Sequence, residues 1–264
     1  WLIEPIIAQV WEDRCISAQG KKCGICAKAC PYGAISVEAG KAAEVVTAKC
    51  HGCGGCVGEC PHNAITQMHY TDAQILAQIR TLLAEKPEEK IFAFRCHWCS
   101  YGGADMAGTS HFEYSSNERG IRVMCSARMD ADFIYEAFRL GAGAVLYSGC
   151  HPQDCHYITG QRVGAVRAER LVKTFEKMGM TPGRFRVEWI SAAEGDKYAR
   201  VINEMQKVLD EMGHDKLVDE INMLRPEMEK RARRMYTTPG IEEADKYSEV
   251  MAMAMSVEEA GIGK

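Results

Sequence analysis

CGICAKACPYGAI, residues 23–35, and CGGCVGECPHNAI, residues 53–65, are one phrase written twice, thirty residues apart. Cys23, Cys26, Cys30, Pro31, Ala34 and Ile35 superpose on Cys53, Cys56, Cys60, Pro61, Ala64 and Ile65. The second copy is complete as Cys50-x2-Cys53-x2-Cys56-x3-Cys60-Pro61. Three closely spaced thiols on one tight loop reach three corners of a small cube. The fourth, turned away by the following proline, serves the other loop.

That is the spacing of bacterial ferredoxins with two cubane iron–sulfur clusters. Crossing the copies gives two four-thiolate sets. Cys15, Cys23, Cys26 and Cys60 hold a first 4Fe-4S cluster, and Cys50, Cys53, Cys56 and Cys30 a second. The first copy departs from the pattern, because the counterpart of Cys50 falls at Gly20 and the available cysteine is Cys15, five residues earlier. RCISAQGKKC is read as a small insertion in that loop. Zinc knuckles also use C-x2-C pairs, but they leave Cys30, Cys60 and the prolines after them unexplained. The expectation is a small α+β ferredoxin domain over residues 1–70, two-fold symmetric, with turns at Gly33 and Asn63. His51, His62 and His69 are surface or tuning residues, since every ligand position is filled.

Outside the repeat, composition excludes more than it assigns. The chain has 264 residues, 36 acidic and 32 basic, for a net charge of −4. Mild acidity argues against a nucleic-acid binder, which needs a basic face. No apolar run approaches the ~18–20 residues of a membrane span. The opening WLIEPIIAQVW lacks a basic region and carries Glu4 and Pro5, so it is not read as a signal peptide. It also lacks an initiator Met, as a fragment or processed product would. Thirteen cysteines, an odd and clustered number, fit a metal-binding cytoplasmic protein better than a secreted disulfide scaffold.

The second half alternates strands and helices. Thr71-Asp72-Ala73-Gln74 has capping-box order, and Ile75, Leu76, Ile79, Leu82 and Leu83 follow at helical spacing. This predicts a linker helix within residues 71–88, ended by Pro87. IFAFRC (from Ile91), IRVMCS (from Ile121), AVLYSGC (from Ala144) and FRVEWIS (from Phe185) read as buried strands. Helices run from Asp130 to Gly141, through Ala168–Met178 to Gly179, and through Tyr198–Met212 to Gly213. Residues 89–213 are therefore an α/β domain with a parallel, doubly wound (flavodoxin-like) sheet.

Cys96, Cys125 and Cys150 fall at carboxyl ends of these strands, the sheet edge where ligands bind. With Cys99 and Cys155 close behind, five thiols converge, one more than a single cluster needs. Zinc, or a mixed site using His97, His151 or His156, is an alternative; the electron-transfer context favours iron. Gly102, Gly103 and Gly149 suit either backbone packed against a cluster or ordinary turns. No dinucleotide fingerprint, P-loop or Ser/His/Asp set is present, so no substrate-converting active site is expected. Residues 214–264 read as a helical tail. Leu217, Val218, Ile221 and Leu224 form one face, stopped at Pro226, before a solvated charge run over Glu229–Arg234. Met251, Met253 and Met255 suit adaptable packing, on a partner or on the chain itself.

FRCHWCSYGGADMAGTS, RVMCSARMD and GCHPQDCHY resemble the delta (iron–sulfur) subunit of methyl-viologen-reducing hydrogenase, from about Ile91 through Gly195. EPIIAQVWEDRC with the paired motifs resembles the C-terminal ferredoxin segment of the flavin-bearing, A-type subunit of heterodisulfide reductase. The resemblance implies a 2Fe-2S cluster held by four of Cys96, Cys99, Cys125, Cys150 and Cys155, and no flavin in this chain. It implies partners as well: heterodisulfide reductase subunits, with a hydrogenase or formate dehydrogenase as donor. The role implied is an electron wire into flavin-based electron bifurcation in methanogenesis, as a subunit of an oxidoreductase complex. Two other readings stand beside it: a thiol/disulfide-active oxidoreductase working at the surplus thiol, or a zinc-stabilised docking module in the second domain.

Overall fold

A computed structural model describes residues 5–232. Met251, Met253 and Met255 lie outside the described residues.

The first lobe is built twice on one plan. Strand β1 (Ala8–Val10) precedes the Cys15 loop; α1 (Ile25–Ala29), β2 (Ile35–Ser36) and β3 (Glu44–Val45) follow. The second copy supplies α2 (Gly55–Glu59) and β4 (Ile65–Gln67). β1 pairs antiparallel with β4, Ala8 opposite Gln67, and β2 pairs antiparallel with β3, Ile35 opposite Val45. Gly33 and Asn63 take φ of 59° and 46°, the left-handed turn that glycine and asparagine accept most readily. The core here is thin. Ala8, Ile35, Ala43, Val57, Ala64 and Ile65 are buried, and the cysteines supply much of the rest.

The larger lobe begins with α3 (Asp72–Leu82). Its capping box forms as the sequence dictates: the Gln74 N–H donates to the Thr71 hydroxyl at 3.2 Å, and the Thr71 N–H donates to the Gln74 side chain at 3.0 Å. α3 ends five residues before Pro87, which opens a short 3-10 turn instead. The helix read as a linker is a core helix: Ile75, Leu76 and Ile79 are fully buried with Phe92 and Phe94 of the sheet.

After β5 (Ile91–Cys96), α4 (Ser100–Thr109) and β6 (Glu118–Val123) come α5 (Ala131–Arg139), β7 (Ala144–Gly149) and α6 (Gly160–Lys177). β8 (Phe185–Trp189), α7 (Gly195–Met212) and α8 (His214–Ala232) complete the described chain. The four strands form one parallel sheet in the order β6-β5-β7-β8. Pleat alternation splits their side chains between two cores. Phe92, Phe94, Val145 and Tyr147 meet α3, α5 and α6 on one face, while Ile91, Ala93, Ala144 and Leu146 meet α4 and α7 on the other.

Three sequence expectations are corrected. β6 starts at Glu118 and ends at Val123, so Cys125 stands two residues beyond the strand. The helix α4 has no counterpart in the sequence reading, because SYGGADMAGT has three glycines and no apolar stripe. α8 does not stop at Pro226 but runs through it. Leu224, Met228 and Ala232 are buried in the first core and Leu217 and Ile221 in the second, so packing at both ends outweighs the hydrogen bond lost at proline. Among the described residues no helix is long and apolar enough to cross a membrane.

Candidate functional site

The two halves of the repeat exchange cysteines. One cavity is lined by Cys15, Cys23, Cys26 and Cys60, together with Ile16, Ala43 and Ile65. A second is lined by Cys30, Cys50, Cys53 and Cys56, with Tyr32 and His51 at its wall. Each cavity thus takes three thiols from one loop and one from the other, and the displaced Cys15 reaches the first. Backbone amides point at two of these sulfurs: Ala8 N–H donates to Cys50 Sγ at 3.5 Å and Ala64 N–H to Cys60 Sγ at 3.3 Å.

Burial pushes the Cys26 and Cys53 thiols up to about 11, with neighbouring thiols adding to the shift. Burial raises Cys56 further in the same direction. Metal-free, these three cysteines are therefore protonated thiols that must release protons as a metal binds. The His51 ring stacks on Tyr32 at 3.8 Å. His62 lies on the wall of the first cavity.

In the larger lobe the five thiols gather at the carboxyl edge of the sheet. Cys96 ends β5, Cys99 stands at the start of α4, Cys125 leads the turn Ser126–Arg128, and Cys150 follows β7. Cys155 lies in the loop before α6. Cys99 and Cys150 approach to 2.8 Å and Cys96 and Cys150 to 3.9 Å, all three buried. Cys125 and Cys155 stand next to each other at Gly160, where both sulfurs border the space a Cβ would take. Gln161 N–H donates to Cys155 Sγ at 3.2 Å. Contacts between the thiols hold Cys96 and Cys150 low and Cys99 and Cys125 high.

The histidines flank this group without joining it. His151 Nε2 is 2.6 Å from Glu194, whose carboxyl falls to about 2. Burial raises that carboxyl, but the Ser191 amide and His151 outweigh it. His156 stacks on Trp98 at 3.7 Å, and Trp98 Nε1 donates to the Tyr157 hydroxyl at 3.0 Å. These rings make an aromatic wall over the Cys99 and Cys155 loops.

Gly102, Gly103 and Gly149, which suit either cluster packing or ordinary turns, pack against protein atoms. Gly102 and Gly103 are in α4, where an added Cβ meets Ala192 and the Ser191 carbonyl, and at Gly149 it meets Ser126 and Trp189. Gly160 faces sulfur most closely: its Cβ would overlap Cys125 Sγ and lie 3.3 Å from Cys155 Sγ. Sequence reading misses it, because a glycine at a helix start carries no signal of its own.

The sites adjoin one another in turn. Cys53 packs with Cys125, Cys155, Tyr32 and Tyr157 in one apolar cluster between the lobes. Burial, reinforced by surrounding thiols, lifts both tyrosines to about 12, so the seam carries no phenolate charge. Farther on, Cys56 of the second cavity neighbours Cys26 of the first. The order is five-thiol group, second cavity, first cavity. Four-thiol donor sets in apolar cavities, with amides aimed at sulfur, fit thiolate-bound iron–sulfur clusters.

Comparison with known proteins gives two family matches. Residues 91–213 match the methyl-viologen-reducing hydrogenase delta subunit, and residues 20–65 match a 4Fe-4S dicluster domain. The A-type subunit of the ferredoxin:CoB-CoM heterodisulfide reductase of Methanosarcina mazei is 39% identical over 92% of this chain and 28% of its own length. Its counterpart in the ferredoxin/F(420)H(2)-dependent CoB-CoM heterodisulfide reductase of Methanosarcina acetivorans is 43% identical over 80% of the chain and 26% of its length. The D-type iron-sulfur subunit of the vhc F420-non-reducing hydrogenase of Methanococcus voltae is 43% identical over 50% of the chain and 91% of its own length. The chain thus spans about a quarter of the two reductase subunits it matches and nearly all of the hydrogenase subunit.

Proposed function

Because the chain belongs to the methyl-viologen-reducing hydrogenase delta-subunit family and carries a 4Fe-4S dicluster domain ahead of it, we propose that it is an electron relay between a donor enzyme and heterodisulfide reductase in methanogenic energy metabolism. The donor is a hydrogenase or formate dehydrogenase. The acceptor is the flavin-bearing, electron-bifurcating part of the reductase. The single observation that carries the reading is the succession of three adjoining thiol sites, each offering at least four sulfurs, with packed side chains between them.

Cys15, Cys23, Cys26 and Cys60 would hold one 4Fe-4S cluster and Cys30, Cys50, Cys53 and Cys56 the other. Four of Cys96, Cys99, Cys125, Cys150 and Cys155 would hold a 2Fe-2S cluster. Such clusters supply one-electron carriage at a potential set by burial and hydrogen bonds to sulfur. The chain's own residues bury the sites, aim amides at Cys50, Cys60 and Cys155, and fix the sequence in which the sites follow one another. No acid–base pair is required. The strand order, second-first-third-fourth, supports reading the sheet as a short member of the doubly wound, flavodoxin-like class.

Metal analysis with EPR of the reduced chain tests this. About ten irons per chain with no zinc, and signals of both cluster types, are expected. About eight irons with one zinc would make the larger lobe a zinc-stabilised docking module and remove it from the relay. A second reading rests on the close approach of Cys99 to Cys150 in a group with one thiol to spare. If the isolated chain turns over a small disulfide substrate, thiol–disulfide exchange replaces the relay.

A further inference from the structure

The internal repeat is broken where the lobes meet. Cys26 on α1 and Cys56 on α2 are equivalent, yet the first copy reads Ile25, Lys28 and Ala29 where the second reads Gly55, Gly58 and Glu59. Ile25 is 42% exposed and Lys28 faces solvent. In α2 everything from Gly55 to Gly58 is buried. The surface that covers it is the Ser126–Arg128 turn that follows Cys125. A Cβ at Gly58 would fall 2.6 Å from the Ala127 carbonyl and one at Gly55 3.4 Å from Ala127 Cβ. Two missing side chains let the loop of Cys56 and the turn of Cys125 come to backbone contact.

Arg167 of α6 closes that contact. Its guanidinium donates to the Ala127 carbonyl at 2.9 Å and the Met129 carbonyl at 2.8 Å, and it pairs with Glu59, the residue before Cys60. One nearly buried planar fork thus grips the polypeptide on both sides of the seam. Arg128, wholly buried, ties the same turn to the Tyr70 carbonyl at 2.9 Å and to Asp72. Two lobes joined by a modest polar interface ordinarily move against each other. A buried charge with several fixed acceptors instead sets one register.

We propose that Arg167 is a positioning residue for electron passage between the lobes, pinning the Cys53–Cys60 loop to the Cys125 turn so that the two neighbouring thiol sites form one rigid unit. The proposal rests on the relay reading above. It gives the repeat asymmetry a cause: the second copy is the docked copy, and only its helix has been stripped of side chains and given a carboxylate for the arginine.

The test uses the full, cluster-loaded chain and the variants Arg167→Met, Arg167→Lys and Glu59→Gln. Iron content and circular dichroism establish loading and fold. The decisive readout is the EPR spin–spin splitting between the reduced centre of the larger lobe and the adjacent cubane. The expected result is full iron in Arg167→Met with loss of the splitting, and partial recovery in Arg167→Lys, which restores the charge without the fork. An iron-replete Arg167→Met with wild-type splitting would overturn the proposal. If Arg167→Met does not fold, Glu59→Gln decides: wild-type splitting in that variant overturns it, and a diminished splitting supports it. A wild-type chain that holds all three clusters but shows no splitting also overturns it. A wild-type chain without iron in the larger lobe overturns the relay reading itself, and this proposal with it.

Discussion

Gly160 shows how strictly one residue can be chosen. Its φ is unremarkable for any residue, so the demand is for space alone: Cys125 and Cys155 sulfurs occupy the volume a methyl group would need. Gly160→Ala is expected to remove the iron of the larger lobe and leave that of the smaller one, as read from iron per chain and the surviving cubane EPR signal. Glu194 is a second case. Its carboxyl, held at about 2 against an ordinary 4.5, contributes stability that is complete above pH ~4.5 and is lost as pH falls toward 2. Glu194→Gln should therefore lower the urea midpoint at pH 7 and narrow the difference between pH 7 and pH 3. An unchanged pH difference would show that the His151 and Ser191 contacts do not stabilise the fold. Neither residue is legible in the sequence. A glycine and a glutamate at helix starts are common, and only the sulfurs and the imidazole brought close by folding give them meaning.

Among the elements, legibility follows periodicity. α3 is readable from Thr71 to Ile79 because cap and apolar stripe agree. Thr71→Ala should cost about 1 kcal/mol in denaturant unfolding by removing the acceptor for the Gln74 amide. α5 is readable for the same reason, Asp130 accepting the Asp132 amide at 3.1 Å. α4 is hidden, since its buried face is Gly103, Ala104 and Ala107, small residues required by the 190–192 loop pressed against it. Pro226 misleads in the opposite direction: local chemistry says stop, but Met228 and Ala232, wholly buried beyond it, hold the helix together. Pro226→Ala should stabilise the chain by up to about 3 kcal/mol, seen as a raised urea midpoint. No gain would mean that the break in hydrogen bonding is already accommodated at no cost.

Across the whole molecule the two lobes differ in what holds them. The larger has two thick cores of aromatic and branched side chains on either face of its sheet. The smaller has alanines, a few branched residues and thiols, too little apolar surface for a lobe its size to stand on. Stripping metal should therefore open residues 5–70 to protease while residues 91–232 stay resistant, as mapped by limited proteolysis and mass spectrometry. The repeat and its cysteine exchange are legible because spacing alone encodes them. The seam is not, because Arg128 and Arg167 read as solvated charges until the fold buries them. The exchange also constrains synthesis. β1 finds its partner in β4, and Cys15 meets Cys60 across the same lobe. The second thiol set is complete only once residue 56 has been made and the first only at residue 60, so neither copy of the repeat can fill a site by itself as the chain emerges. On the relay reading, iron delivery to either site would have to wait until both copies of the repeat have emerged.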